Sequence, residues 1–282
     1  IAYTYDAIGR IATRTANGWK TSYPTTYQYL APENGDSIQT TPLVQSITQN
    51  GQNFSYTYDN VGNITSVTRN GLMTTYVYDK LGQLIRVNDP HANKTTVYNY
   101  DRGGNILSCV EYAYTTGTLG AATQTTAYAY GDSNWKDKVT AIGGKAITYD
   151  AIGNPLTYDG WTFTWKAGRM LASMVKSGTN AQFTYDHNGL RIKKVVNGVT
   201  TNYTLNGKNV VHMTQGSHDL HFFYDAQGKP GMVTYNDVDY FYVYNLQGDV
   251  VALIDANGTQ VVEYGYDAWG YPISKTGSLA AT

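Results

Sequence analysis

The chain has 282 residues, a formal net charge of −1 and only 15% charged residues, against roughly 25% in a typical globular domain. Its scattered Lys and Arg residues exclude a basic surface for nucleic acid. The absence of an apolar run of about 18 residues predicts no membrane span, and the single cysteine excludes a disulfide framework.

A short phrase recurs along the chain: an alternating strand that ends in Tyr-Asp, then two residues and Gly. Copies begin at Tyr5, Tyr58, Tyr78, Tyr100, Tyr149, Tyr185, Tyr224, Tyr244 (with Asn in place of Asp) and Tyr266. Spacings near 20 residues indicate one supersecondary unit stacked many times. A residue type that returns in every unit is expected to build that unit.

Residues 50–71 show how one unit is made. Residues 54–58 alternate between apolar and polar side chains, which predicts a half-buried strand. Asp59 and Gly62 occupy the first and fourth places of a type I turn, residues 64–69 form the return strand, and Asn70-Gly71 is typical of a type I′ hairpin turn. With no helical periodicity, the sequence predicts an all-β antiparallel meander of hairpins in a curved, spiralling sheet, a partial or complete hollow shell or barrel.

The repeated Asp and Gly residues are predicted to be structural. An Asp side chain at the start of a turn accepts local backbone N–H groups, and Gly adopts the left-handed conformation that leads into the next strand. The residues expected to form these turns are Tyr58, Asp59, Gly62, Tyr78, Asp79, Gly82, Tyr149, Asp150, Gly153, Tyr185, Asp186, Gly189, Tyr266, Asp267 and Gly270. No catalytic residue is expected among them.

The return strands depart from simple alternation. Ile64 and Val67 are three residues apart, as are Ile106 and Cys109, so a regular strand would place each pair on opposite faces. Either these strands contain a β-bulge or both faces of the sheet are partly buried.

The regular spacing of the repeats is interrupted at residues 20–45, which contain Pro24, Pro32 and Pro42, and at residues 115–138. Composition hardly changes along the chain. The sequence therefore predicts one repeat array over residues 1–275, followed at 276–282 by a linker or a truncated end.

The sequence contains four candidate ligand groups, and none is predicted to bind a metal or cofactor. His218 and His221 flank Asp219 near His212, but residues three apart face opposite sides of a strand. Residues 236–239 contain two acidic groups, and residues 255–258 are similar to part of a calcium loop, but the second segment lacks a downstream Glu and is already accounted for as a turn. Cys109 has apolar neighbours and is interpreted as a buried thiol.

Four aromatic residues could stack on sugars: Tyr158, Trp161, Trp165 and Trp269. The alternative is that they form cross-strand aromatic pairs, each of which contributes roughly 0.2–1 kcal/mol to a sheet. The second interpretation is favoured, because stacking of this kind is what the repeat needs.

The repeated phrase resembles the YD repeats of Rhs proteins, of the C subunits of insecticidal toxin complexes and of teneurins. The resemblance covers nearly the whole chain, and residues 147–155 are similar to versions found in Gram-positive wall-associated members. It implies a spiralling sheet that winds into a hollow shell, which in bacterial relatives encloses a variable C-terminal toxin. The self-cleaving segment that relatives carry beyond the repeats has no match here, so no catalytic residue is transferred.

Two functions follow as hypotheses. The first is a non-enzymatic shell fragment, with one polar, uncharged face lining a cavity, whose partner is a downstream toxin or cargo segment of the same polypeptide. The alternative is a cell-surface module that binds carbohydrate or protein. Both predict a secreted or wall-associated bacterial protein, and open first and last strands would favour self-association through their edges.

Overall fold

The computed structural model describes residues 1–17, 22–31, 41–49 and 51–281. These ranges contain 26 β-strands and no helix, so the all-β prediction is confirmed. No helix in them is long and apolar enough to cross a membrane. Pro32 and Thr282, which belong to the interrupted stretch and to the tail, lie outside the described residues.

The first half of the sheet is built from short strands of four to eight residues. They are β1 (Ala2–Tyr5), β2 (Ile11–Asn17), β3 (Ser22–Tyr29), β4 (Val44–Gln49), β5 (Gln52–Tyr58), β6 (Ile64–Arg69), β7 (Leu72–Tyr78), β8 (Leu84–Asp89), β9 (Lys94–Tyr100), β10 (Ile106–Ala113) and β11 (Ala122–Ala129). Strands β3 and β11 lie in residues 20–45 and 115–138, the two stretches that interrupt the regular repeat spacing. These stretches therefore contribute regular strands.

The second half continues in the same manner. Its strands are β12 (Ala141–Ile142), β13 (Lys145–Tyr149), β14 (Pro155–Tyr158), β15 (Trp161–Lys166), β16 (Met170–Lys176), β17 (Thr179–Tyr185), β18 (Arg191–Val196), β19 (Val199–Asn206), β20 (Asn209–Gln215), β21 (His218–Tyr224), β22 (Pro230–Tyr235), β23 (Val238–Tyr244), β24 (Val250–Asp255), β25 (Gln260–Tyr266) and β26 (Pro272–Thr276).

Each strand pairs antiparallel with the next strand in the chain, from β1–β2 to β25–β26. The meander is thus confirmed. Within the described residues, β1 pairs only with β2 and β26 only with β25, so the sheet is not closed into a barrel and keeps two free edges.

A β-bulge opens the return strand of most hairpins. Thr57 pairs with Ser66 but Tyr58 pairs with Ile64, so Thr65 has no partner across this pair of strands. The same shift occurs where β9 meets β10, at residues 106–108. The extra residue explains why Ile64 and Val67 share a face although they are three residues apart, and the bulge alternative is confirmed.

One face of the sheet can be followed from end to end, because residues paired across antiparallel strands lie on the same face. Starting at Tyr56, the successive cross-strand partners lead to Tyr76, Tyr98 and finally Tyr242. We call this the tyrosine face. Phe241, next to Tyr242 in β23, lies on the opposite face.

The sheet overlaps itself like a scroll. Tyr23 belongs to the tyrosine face of β3, yet its ring centroid lies 5.0 Å from that of Phe241, on the opposite face of β23. A sheet folded in half would bring one face against itself, whereas a rolled sheet brings opposite faces together. In β17 and β21 the tyrosine face is also the less exposed one, which places it on the inside of the roll.

The hydrophobic core lies between the two layers of this overlap. Its buried members come from the first and last strands: Ala16, Val44, Ile47, Phe54 and Tyr56, with Phe241, Val243, Val251, Ala252 and Ile254. Ala252 and Ile254 lie on the same face of the sheet as Phe241, and both are almost fully buried against the first strands. The last strands therefore form the inner layer of the scroll.

Polar contacts also cross the overlap. Tyr3 donates its hydroxyl to Asp225 (Oη–Oδ2 2.6 Å), and the buried Arg14 guanidinium lies 3.5 Å from the same carboxylate. Tyr23 donates to the carbonyl oxygen of Asp255 at 2.8 Å. These bonds satisfy polar groups that the overlap removes from water, as buried polar groups require.

Candidate functional site

The turn after β5 shows how the Tyr-Asp phrase works. Asp59 Oδ1 accepts the backbone N–H groups of Val61 (3.0 Å) and Asn63 (2.9 Å), and its Oδ2 accepts the Asn63 side-chain amide at 2.9 Å. Gly62 donates its N–H to the Asp59 carbonyl at 3.1 Å and has a φ of +91°. One carboxylate thus holds the whole turn, and Gly supplies the left-handed residue.

The other turns repeat this geometry. Backbone N–H groups two and four residues downstream donate to Asp79, Asp150, Asp186 and Asp267. Positive φ angles occur at Gly82, Gly153, Gly189 and Gly270. In the Asp59 turn the Asn63 side chain, together with the backbone N–H groups, lowers the pKa of the carboxyl against its desolvation. A carboxylate held in this way is an acceptor rather than a proton donor.

In most copies of the phrase, the tyrosine connects its hairpin to the preceding one. Tyr78 donates its hydroxyl to the carbonyl oxygen of Ile64 (2.9 Å), the residue that opens the bulged strand one repeat earlier, and Tyr58 donates likewise to Val44 (2.7 Å). Equivalent bonds run from Tyr29, Tyr100, Tyr130, Tyr185, Tyr224, Tyr244 and Tyr266 to the carbonyls of Ile11, Leu84, Ile106, Leu171, Val210, Pro230 and Val250, respectively.

Sequence reasoning missed this tyrosine–bulge bond. Its signal is the preference for Tyr over Phe, 27 residues against 6, at a strand end where either ring would pack. Trp165 supports the interpretation, since its Nε1–H takes the place of the tyrosine hydroxyl and donates to the Pro155 carbonyl at 2.7 Å. Tyr149 departs from the pattern and donates to Val139.

The four aromatic candidates are not brought together. Tyr158 and Trp161 pair across β14 and β15, and Trp165 follows on the same, tyrosine face. Trp269 lies in the turn before β26, where its ring meets Tyr98 of β9 edge-on at 5.6 Å. The three residues of β14–β15 and the distant Trp269 therefore belong to different surfaces.

A cleft of about 1090 Å³ lies between the layers of the scroll. Its outer wall is the tyrosine face of β5–β8, including Tyr76 and Tyr78, and its inner wall comes from the last strands, including Glu263, Tyr264 and Trp269. Arg69 and Glu263 form an ion pair across it. The cleft shows that the interior of the roll is not completely filled by side chains.

The tyrosine face is not uncharged, contrary to the expectation from the sequence. Lys94 and Glu111 both lie on it by their strand register, and their side chains form an ion pair at 2.5 Å. Arg14 on the same face pairs with Asp225. These charges are compensated within the protein, because an unpaired charge on an enclosed face would be costly.

Cys109 also faces inward. It pairs with Tyr98 across β9 and β10 and is half-buried. Burial, and then the nearby Glu111 carboxylate, raises the pKa of the thiol above its usual value. A thiol held protonated in this way is a poor nucleophile.

The chain is similar to proteins of one family. Residues 48–278 match the family model described as the teneurin YD-shell. The tRNA3(Ser)-specific nuclease WapA of Bacillus spizizenii is 33% identical over 194 residues, and the tRNA nuclease WapA of Bacillus subtilis is 32% identical over 194 residues. In both cases the match covers 66% of this chain but 8% of the relative.

Solved structures show the same fold. A TcdB2–TccC3 crystal structure has a TM-score of 0.72 at 17% identity, with 99% of this chain and 16% of that chain covered. A Tc holotoxin pore structure from Photorhabdus luminescens has a TM-score of 0.67 at 17% identity and covers 100% of this chain and 16% of that one. Each of these proteins is several times longer than the chain described here.

Proposed function

The chain belongs to the Rhs/YD-repeat family, and from that premise we propose that it is a non-enzymatic part of a β-shell that encloses a downstream polypeptide, such as a C-terminal toxin. The overlap of opposite sheet faces, with Tyr23 against Phe241, carries this proposal. A sheet that rolls in this sense surrounds an interior, and further repeats would extend the wall. The array over residues 1–275 would supply one segment of it, followed at 276–282 by a linker or a truncated end.

The interior suits confinement more than tight binding. On the tyrosine face, strand-end tyrosines such as Tyr78 have their hydroxyls bonded to backbone carbonyls, and charges such as Lys94 and Glu111 are already paired. Groups committed in this way are not available to fix one orientation of a cargo, which a specific binding site needs. A chain held inside would be kept from proteases and from its targets chiefly by exclusion.

The same features argue against an active site in these repeats. The turn carboxylates such as Asp59 are each committed to several hydrogen bonds, and Cys109 is half-buried with a raised pKa. The WapA relatives are named as tRNA nucleases, but this chain corresponds to 8% of their length. We assign any toxic activity to the enclosed segment, and we place the protein at the bacterial surface or in the secreted fraction.

Limited proteolysis tests enclosure directly. The natural polypeptide that carries these repeats is treated with a protease at low concentration, and the segment downstream of the repeats is followed by mass spectrometry. We expect that segment to survive in the intact protein and to be cut rapidly once the repeats are denatured or when it is expressed alone. Cleavage of the segment while the repeats stay intact would overturn the proposal.

A second candidate, a carbohydrate-binding surface, rests on two exposed rings. Trp269 is 55% and Tyr271 is 69% exposed, and both lie in the last turn of the array. Exposed aromatic faces of this kind can stack on sugars. Saturable binding to purified cell-wall glycan that is lost in Trp269→Ala and retained in Trp161→Ala would favour this function over enclosure.

A further inference from the structure

Three side chains with metal-binding groups converge on the hairpin formed by β20 and β21. His212 and His221 are direct cross-strand partners, and Asp219 lies two residues before His221 on the same face. The Asp219 Oδ1 atom is 3.2 Å from His212 Nε2 and 3.1 Å from His221 Nε2. Among the described residues this is the only group of three or more His, Cys, Asp or Glu side chains with converging donor atoms.

Sequence spacing concealed this cluster. His218 and His221 do lie on opposite faces, as the alternation of a strand requires, and His218 instead bonds to Tyr235. The partner of His221 comes from the neighbouring strand, nine residues earlier in the chain. Only the hairpin register reveals that His212 stands opposite His221.

The hairpin holds the three groups in place. The two imidazole rings stack with centroids 4.4 Å apart and planes 16° from parallel. The backbone N–H of Asp219 donates to Asn236 Oδ1 at 2.9 Å, which ties this end of β21 to the turn after β22. The side chains therefore start close to one another, and little conformational entropy has to be lost on binding a common ligand.

The distances fit a small divalent cation. Zinc binds His nitrogen and carboxylate oxygen at about 2.0–2.2 Å, and two ligands of a tetrahedron with such bonds are about 3.3–3.5 Å apart. The two measured nitrogen–oxygen separations are within a few tenths of an ångström of that value. The two imidazole planes are nearly parallel, so both rings would have to tilt towards each other to aim their Nε2 atoms, together with the Asp219 oxygen, at one centre.

We propose that His212, Asp219 and His221 form a binding site for a divalent transition-metal ion of the Zn²⁺ type. The site lies on the face opposite the tyrosine face, and all three side chains are partly or largely exposed, so the ion has an open path from solvent. Three protein ligands leave at least one coordination position for water or for a group from another molecule. Binding would cross-link β20 and β21 from the outside of the scroll.

Binding of zinc chloride to the purified, chelator-treated chain tests the site. Isothermal titration is carried out on the parent and on His212→Gln, His221→Gln and Asp219→Asn. His187→Gln is the matched control, since His187 is an exposed histidine in a turn outside the cluster. Magnesium chloride serves as the control ion, because Mg²⁺ prefers oxygen ligands in octahedral geometry.

We expect one Zn²⁺ ion per chain, at least about tenfold weaker binding in each of the three ligand variants, and unchanged binding in His187→Gln. Visible absorption of bound Co²⁺ provides a second readout of ligation, and circular dichroism confirms that each variant is folded. The proposal would be overturned if the parent bound no Zn²⁺ or bound Mg²⁺ as strongly as Zn²⁺. It would also be overturned if folded His212→Gln and Asp219→Asn variants bound Zn²⁺ as strongly as the parent.

Discussion

The ring centroids of Tyr23 and Phe241 lie 5.0 Å apart, although the two residues belong to opposite faces of one continuous sheet. This contact distinguishes a rolled sheet from a folded one. It also means that this face of the last strands is buried only because the first strands cover it, as the burial of Ala252 and Ile254 on the Phe241 face of β24 shows. The stability of the two ends of the chain is therefore linked.

The overlap makes a prediction for two phenylalanines on the same face. Phe241 is 1% exposed under the first strands, whereas Phe223, on the neighbouring β21–β22 surface, is 47% exposed. We expect Phe241→Ala to lower the free energy of unfolding by about 3–5 kcal/mol, the cost of emptying a buried ring site. The matched variant Phe223→Ala should cost well under half as much. Urea unfolding followed by circular dichroism measures both, and equal losses would contradict the scroll.

The tyrosine–bulge bond makes a second prediction. Tyr78→Phe removes only the hydroxyl that donates to the Ile64 carbonyl. We expect a loss of about 0.5–1.5 kcal/mol in the free energy of unfolding, the net value of one such hydrogen bond. Tyr271→Phe, at a 69% exposed ring, is the control and should be close to neutral. If both variants unfold at the same denaturant concentration as the parent, the bond contributes nothing to stability.

Glycine in the turns provides a third prediction. Gly62 has a φ of +91°, which a β-branched residue adopts only with strain. We expect Gly62→Val to destabilise the protein by roughly 1–3 kcal/mol. Gly120 has no positive φ, and a Cβ added to it would meet no atom within 4 Å, so Gly120→Val is the control. If thermal unfolding gave the same melting temperature for Gly62→Val and the parent, the turn assignment would be wrong.

The turns and strands could be predicted from the sequence because they depend on local chemistry. The contacts between strands could not, because they depend on the geometry of the whole sheet. The roles of Asp59 and Gly62 depend on atoms within four residues, so the sequence phrase was sufficient to predict the hairpins. The contact between Tyr23 and Phe241 depends on the accumulated curvature of some twenty strands, which no local pattern encodes. The convergence of His212 on His221 depends on the register between β20 and β21, which the hairpin turn at residues 216–217 sets and which the alternation of one strand does not reveal.

The turn carboxylates predict how stability depends on acid. The pKa values of Asp59, Asp79 and Asp101 are lowered, chiefly by hydrogen bonds from Asn63, Gln83 and Asn105, respectively. A group whose pKa is lower in the folded protein stabilises the fold above its unfolded pKa, and this contribution is lost as the pH falls through the folded value. We therefore expect the unfolding free energy to decline below about pH 4.

Denaturant unfolding at a series of pH values measures this decline. The variant Asp59→Asn keeps most of the shape of the side chain but cannot titrate, so its stability should change less between pH 5 and pH 2 than that of the parent. An unchanged pH dependence in Asp59→Asn, Asp79→Asn and the double variant would contradict the role given to these carboxylates.

The buried tyrosines predict an opposite dependence at high pH. Burial raises the pKa of Tyr56, Tyr98 and Tyr244 above the usual value of 10.0. Between the unfolded and the raised folded pKa, the unfolded chain has lost protons that the folded chain keeps, so each increase in pH favours unfolding. Their contribution to stability is thus complete below about pH 10 and is lost above it.

Tyrosinate absorbance, followed together with circular dichroism during an alkaline titration, distinguishes this mechanism from simple surface titration. We expect part of the tyrosinate signal to be delayed in the native protein and then to appear in the same transition as the loss of strand signal, whereas in denaturant all tyrosines titrate together. The double variant Tyr56→Phe/Tyr98→Phe should reduce the delayed fraction. If all of the native tyrosinate signal appeared before any strand signal was lost, the inward, water-excluded position of the tyrosine face would be wrong, and with it the direction in which the sheet is rolled.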